Sequence, residues 1–176
     1  MEIPFDLSLV VASYVAKPRM KLLDWVPVEK LKWRYLSQNP NAIHLLEENF
    51  NQIDWNKFSK NPNGIPLLEA NPKKINWLWL SGNPNGIHLL KANPDKINWN
   101  GLSENPNGIA LLEANPDKID WNWLSYNPNA MHLLKANPEK IDWDYLSFNP
   151  SIFQIDKHLT HIYTMDKASQ IDLFIR

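Results

Sequence analysis

Apolar side chains recur along this chain in short clusters rather than in alternation, and the clusters return every 22 residues. In residues 83–99, NPNGIHLLKANPDKINW, one cluster is Ile87, Leu89 and Leu90; a second is Ile97 and Trp99, with Leu102 just beyond. Each cluster follows an Asn-Pro step, Asn83-Pro84 and Asn93-Pro94. Asn is a favoured helix N-cap, and Pro is tolerated at the first helical position, where its missing N–H would be unpaired anyway. The pattern predicts two short helices per unit, the first of roughly ten residues. The second begins either at Asn93 or, after a turn, at Asn98; Asp54, Asp120 and Asp142 stand in the place of Asn98 and favour the later cap. Strands are disfavoured, because period-2 alternation is missing and regularly spaced prolines would remove ladder donors.

Trp33, Trp55, Trp77, Trp99, Trp121 and Trp143 keep this period without an insertion. Full units begin at Asn39, Asn61, Asn83, Asn105 and Asn127, and a degenerate one at Lys17. The expected fold is all-α, an α-solenoid of about six to seven units. Its expected organisation is an N-terminal cap (1–16), a single-domain repeat array (17–148) and a C-terminal cap (149–176). Helices this short are marginal alone, so burial between units must supply the stability. The small residues Ala42, Gly64, Gly86, Gly108 and Ala130 predict close backbone approach between neighbouring units. Glycine otherwise costs about 1 kcal/mol inside a helix.

Composition narrows the chemistry. The 176-residue chain has no cysteine, which excludes disulfides, thiolate catalysis and cysteine-ligated metals. Its formal net charge of -1 gives no reason to expect a polyanionic partner, so nucleic acid is disfavoured. The apolar stretch Leu7–Ala16 follows Glu2 and Asp6 rather than basic residues, and is read as part of a mature, intracellular, unsecreted chain. No apolar run approaches the ~18 residues of a membrane span.

The recurring residues admit chemical readings and structural ones. The Trp row could stack ligands, but its invariance favours a core wedge. His44, His88 and His132 alternate with Pro66 and Ala110, and units stacked at about 10 Å would hold these imidazoles about 20 Å apart. They are read as surface histidines. His158 and His161 have helical spacing but no further ligand beside them in sequence. The row Asn41, Asn63, Asn85, Asn107 and Asn129 suits an amide ladder to neighbouring turns better than a recognition stripe. Ser37, Ser59, Ser81, Ser103, Ser125 and Ser147 lack the base and acid a nucleophile needs. Neither a catalytic set nor a cofactor motif emerges, and no enzyme is expected. The basic run Lys17, Arg19, Lys21, Lys30, Lys32 and Arg34 reads as a solvated face.

Recognition is therefore sought where units differ. One variable column is Tyr35, Lys57, Trp79, Gly101, Trp123 and Tyr145; another is Gln38, Lys60, Gly82, Glu104, Tyr126 and Phe148. The candidate protein-binding edge is Tyr35, Lys57, Trp79, Trp123, Tyr126, Tyr145 and Phe148, since Trp and Tyr dominate interface hot spots. The competing reading is packing between units.

The phrase N-P-N-A/G-I-H-L-L-E/K-x-N-P-x-K-I-D/N-W-x-x-L-S, close over 39–148 and loose over 17–38, resembles a repeat of large nucleocytoplasmic DNA virus proteins, relatives of mimiviruses and phycodnaviruses. That resemblance implies a virus-encoded repeat protein of unassigned function. Together with the variable edge, it leads to the expectation of a non-enzymatic scaffold binding another protein, as a virion component or a host-directed adaptor. A modular single-stranded nucleic-acid binder is the alternative.

Overall fold

The computed structural model describes residues 20–154. The expected N-terminal cap, the C-terminal residues from 155 onward, and His158 and His161 lie outside the described residues. Among those described, every regular element is helical. The fold is an all-α repeat solenoid of 22-residue units, each contributing two short helices. The chain divides into two compact units between Gly101 and Leu102.

The first unit carries α1 (Trp33–Leu36), α2 (Ile43–Glu48), α3 (Trp55–Phe58), α4 (Ile65–Ala70), α5 (Trp77–Ser81) and α6 (Ile87–Ala92). Helix α7 (Trp99–Glu104) contains the point of division. The second unit carries α8 (Ile109–Glu113), α9 (Trp121–Tyr126), α10 (Met131–Ala136) and α11 (Trp143–Leu146).

The Asn-Pro steps do not open α-helices directly. At the first step of a repeat, the Asn83 side chain accepts from Asn85 N–H at 3.0 Å, and the Asn83 carbonyl accepts from Gly86 N–H at 3.0 Å. Those bonds close a 3-10 turn, Pro84–Gly86. Gly86 then sits at φ -86°, ψ -2°, and the α-helix starts only at Ile87. The expected ten-residue helix is thus a 3-10 turn followed by six α-helical residues.

At the second step the structure selects the later cap. Asn93 ends α6: its amide donates to the Leu89 carbonyl at 2.9 Å, satisfying a terminal helix acceptor. Pro94–Lys96 forms another 3-10 turn, Ile97 extends the chain, and Asn98 accepts from Gly101 N–H at 2.8 Å to cap α7. Asp54, Asn76, Asp120 and Asp142 cap α3, α5, α9 and α11 in the same way.

The core is a narrow file. Leu46, Phe58, Leu68, Leu80 and Leu90 are fully buried in the first unit, and Leu102, Leu112 and Leu124 in the second. The Trp row is not in that file, which corrects the core expectation: Trp55, Trp77, Trp99 and Trp121 are only half-buried and Trp143 is exposed. Two of these rings are covered by a lysine, whereas Trp55 meets Phe50 and Phe58. Lys96 Nζ lies 4.9 Å from the Trp77 ring centre, and Lys140 Nζ 4.5 Å from that of Trp121.

The glycines meet a different neighbour from the one expected. A Cβ on Gly86 would come 3.0 Å from Leu80 Cδ1, and one on Gly108 would come 2.6 Å from the Leu102 carbonyl oxygen. Each close approach is to the helix just before the Asn-Pro turn, six residues back along the chain, because the 3-10 turn folds tightly against it.

Candidate functional site

The most conspicuous rows of the repeat are spent on joining one layer to the next. Each buried serine bridges two layers. Ser59 Oγ donates to the Trp55 carbonyl at 2.8 Å and accepts from Asn76 N–H, in the next layer, at 2.9 Å. Ser37 and Ser81 repeat this in the first unit, and Ser125 in the second. With no base beside it and both hydroxyl functions committed, such a serine is a structural bridge.

The first Asn of each turn makes a second seam. Asn83 Nδ2 donates to the Ser59 carbonyl at 3.0 Å and the Asn61 carbonyl at 2.8 Å. Asn61 does the same to Ser37 and Asn39, Asn127 to Ser103 and Asn105, and Asn149 to Ser125 and Asn127. These amides are fully buried or nearly so, yet among the described residues no buried side-chain nitrogen or oxygen lacks a partner. The third position of the turn forms a parallel, exposed ladder: Asn63 to the Pro40 carbonyl, Asn85 to Pro62 and Asn129 to Pro106, at 2.8–2.9 Å. The ladder at that third position follows from the repeat pattern. Its buried counterpart and the serine bridge escaped sequence reasoning, because capping already explained the first Asn and a lone Ser carries no signal of its partners.

The variable edge separates by unit. In the first, Lys57 Nζ lies 4.1 Å from the Trp79 ring centre, with Lys60 at 6.0 Å, while Tyr35 is 71% exposed. In the second, the Trp123 and Tyr145 rings meet at 5.3 Å, and Tyr126 and Phe148 are exposed. Lys57–Trp79 and Trp123–Tyr145 thus pack between adjacent repeats while staying half-open, whereas Tyr35, Tyr126 and Phe148 face outward. On another face of the first unit, a groove of about 750 Å³ runs between Pro40, Ile43, His44, Pro62 and Ile65, with Met20 against it.

The histidines pair with carboxylates at the surface. His88 Nε2 lies 2.8 Å from Glu69 Oε1, and His132 Nε2 2.9 Å from Glu113 Oε1, each reaching back one repeat. His44 instead meets Glu48, one turn along its own helix, at 3.2 Å.

A family model described as NosD, periplasmic copper-binding protein, matches residues 24–166. The chain belongs to the NosD family. No curated protein and no solved structure matches the chain. Copper is what the NosD name attaches to that family, and among the described residues the donor set does not fit such an ion. The sequence has no cysteine, and among the described residues no three His, Cys, Asp or Glu side chains stand close enough to hold a metal together. Each described histidine is engaged with a single repeat's carboxylates and stands apart from the others. Nor is any helix among the described residues long and apolar enough to cross a membrane.

Proposed function

We propose that this protein is a non-enzymatic helical repeat scaffold that binds another protein through its variable aromatic edge. The observation that carries this reading is the division of labour within the repeat. Within the array the Leu of the core file, the serine and the first Asn of each turn are buried, the latter two committed to the seams, whereas Tyr35, Trp79, Trp123, Tyr126, Tyr145 and Phe148 keep ring surface open. Half-open Trp and Tyr side chains supply large, stiff contact area to a partner. A virus-encoded setting, with the scaffold either in the virion or directed at host proteins, follows from the repeat's resemblance alone and is part of the proposal. Copper is not carried over from the NosD name, because the described donors do not converge.

Affinity capture with the intact chain, followed by mass spectrometry, tests the edge. A specific partner is expected with the wild type and lost with the Trp79→Ala, Trp123→Ala double variant. Unchanged recovery would exclude those rings as the contact. Proteomics of purified particles separates a virion component from an adaptor.

A further inference from the structure

Within each of the two units, neighbouring layers are closed through the same set of contacts, and among the described residues the outermost repeats display the two halves of that set unclosed. At the C-terminal end, Ser147 is exposed, whereas Ser37, Ser59, Ser81, Ser103 and Ser125 are fully buried. Among the described residues no donor reaches the Ser147 carbonyl or adds to its hydroxyl, which only donates to the Trp143 carbonyl at 2.7 Å. Trp143 is 66% exposed, with no lysine over it. At the N-terminal end, Asn39 is exposed, whereas Asn61, Asn83, Asn105, Asn127 and Asn149 are buried. The Asn39 side chain accepts from Asn41 N–H at 2.9 Å, but no described acceptor meets the amide Nδ2 of Asn39 or Asn41. The Lys32 N–H, which occupies the place of the donors Asp54 and Asn76, likewise has no described acceptor.

We propose that these ends are complementary halves of one seam, and that a second copy of this chain docks head to tail upon the first. Placing the Asn39 of an incoming copy one repeat beyond Asn149 satisfies the whole set in a single register. Asn39 Nδ2 then meets the Ser147 and Asn149 carbonyls, as Asn149 meets Ser125 and Asn127. Asn41 Nδ2 meets the Pro150 carbonyl, as Asn129 meets Pro106. Lys32 N–H meets Ser147 Oγ, as Asp142 N–H meets Ser125 Oγ. Lys30 covers the bare Trp143 ring, as Lys140 covers Trp121, and Tyr35 meets Tyr145, as Tyr145 meets Trp123.

By sequence alone, the positions one repeat further along the chain do not match this set. In the same register its sequence offers Ile162 where a lysine is needed, and Ile171 and Leu173 where the two amides are needed. Only the start of another copy presents Lys30, Lys32, Tyr35, Asn39 and Asn41 at the right intervals. Such a contact is heterologous, so it does not close at a dimer but continues to a ring or an open filament.

Sedimentation velocity over a concentration series, using the full chain, tests this. The wild type is expected to give species that grow past the dimer as concentration rises. Asn39→Asp keeps the acceptor for Asn41 N–H but turns a carboxylate on the facing carbonyls. Trp143→Arg sets a cation against Lys30. Either change alone is expected to weaken association by about tenfold or more, the scale of a lost buried hydrogen-bond pair. An equimolar mixture of the two is expected to give a capped 1:1 dimer, because each variant retains the end the other has lost. If Asn39→Asp lowers the melting temperature, Tyr35→Glu, at an exposed ring, replaces it as the head-blocked variant. A wild type that stays monomeric throughout, or a mixture that behaves as its separate components, would overturn the proposal.

Discussion

Leu80 and Trp77 stand three residues apart on one helix and recur with the same period, yet one is sealed and the other half-open. Although Phe58 stands in the place of Leu80 one repeat earlier, recurrence alone does not distinguish them. What does is the Ser-Asn seam: Ser81 and Asn83 sit beside Leu80 and are themselves fully buried. There the Ser and Asn side chains bind backbone N–H and carbonyl groups of the adjacent layer, so that line ties the layers together. Trp77 lies on the margin of the line, where a flexible lysine rather than backbone covers its ring. The seam therefore supplies cohesion and register, and the Trp row supplies a covered margin.

The sharpest way to break this contrast is at the buried amide. Asn83→Leu leaves the Ser59 and Asn61 carbonyls without the amide donor that reaches them, at about 1–3 kcal/mol for each buried polar group left unpaired. Urea unfolding should show it as the largest loss among these variants, whereas Asn85→Ala, on the exposed ladder, should cost much less. Next comes the pair on a single helix. Leu80→Ala should destabilise by about 2–5 kcal/mol, and Trp77→Ala by less despite its larger side chain; the reverse order in thermal melts would return Trp77 to the core. Smallest is Lys96→Met, which removes the charge over Trp77 but keeps a similar stem. A loss of about 0.5–1 kcal/mol is expected, together with a shifted Trp fluorescence maximum, and no spectral change would show that the ring does not sense the lysine.

Much of this architecture was legible beforehand. The period, the two helices per unit and the later cap at Asn98 follow from apolar spacing and from Asp at the equivalent positions, since capping is a local interaction between residues two or three apart. The exposed ladder at Asn63 and Asn85 was also legible, because an amide repeated at turn positions has neighbouring turns as its nearest carbonyls. The candidate edge was legible only as a pattern of variation. Which of its residues pack together, Lys57 with Trp79 and Trp123 with Tyr145, depends on the offset between layers.

By itself, the sequence determined the all-helical class, the repeat length, the turn chemistry and the want of cysteine ligands, all of which rest on composition or on contacts within a few residues. Tertiary structure decided which invariant residues are core. It moved Trp77 to the margin, brought Ser59 against Asn76, joined Asn83 to Ser59 and Asn61, and set Gly86 against Leu80 rather than against another layer. Those outcomes hang on the offset at which one short helix pair settles on the next, and a 22-residue period alone leaves that offset open.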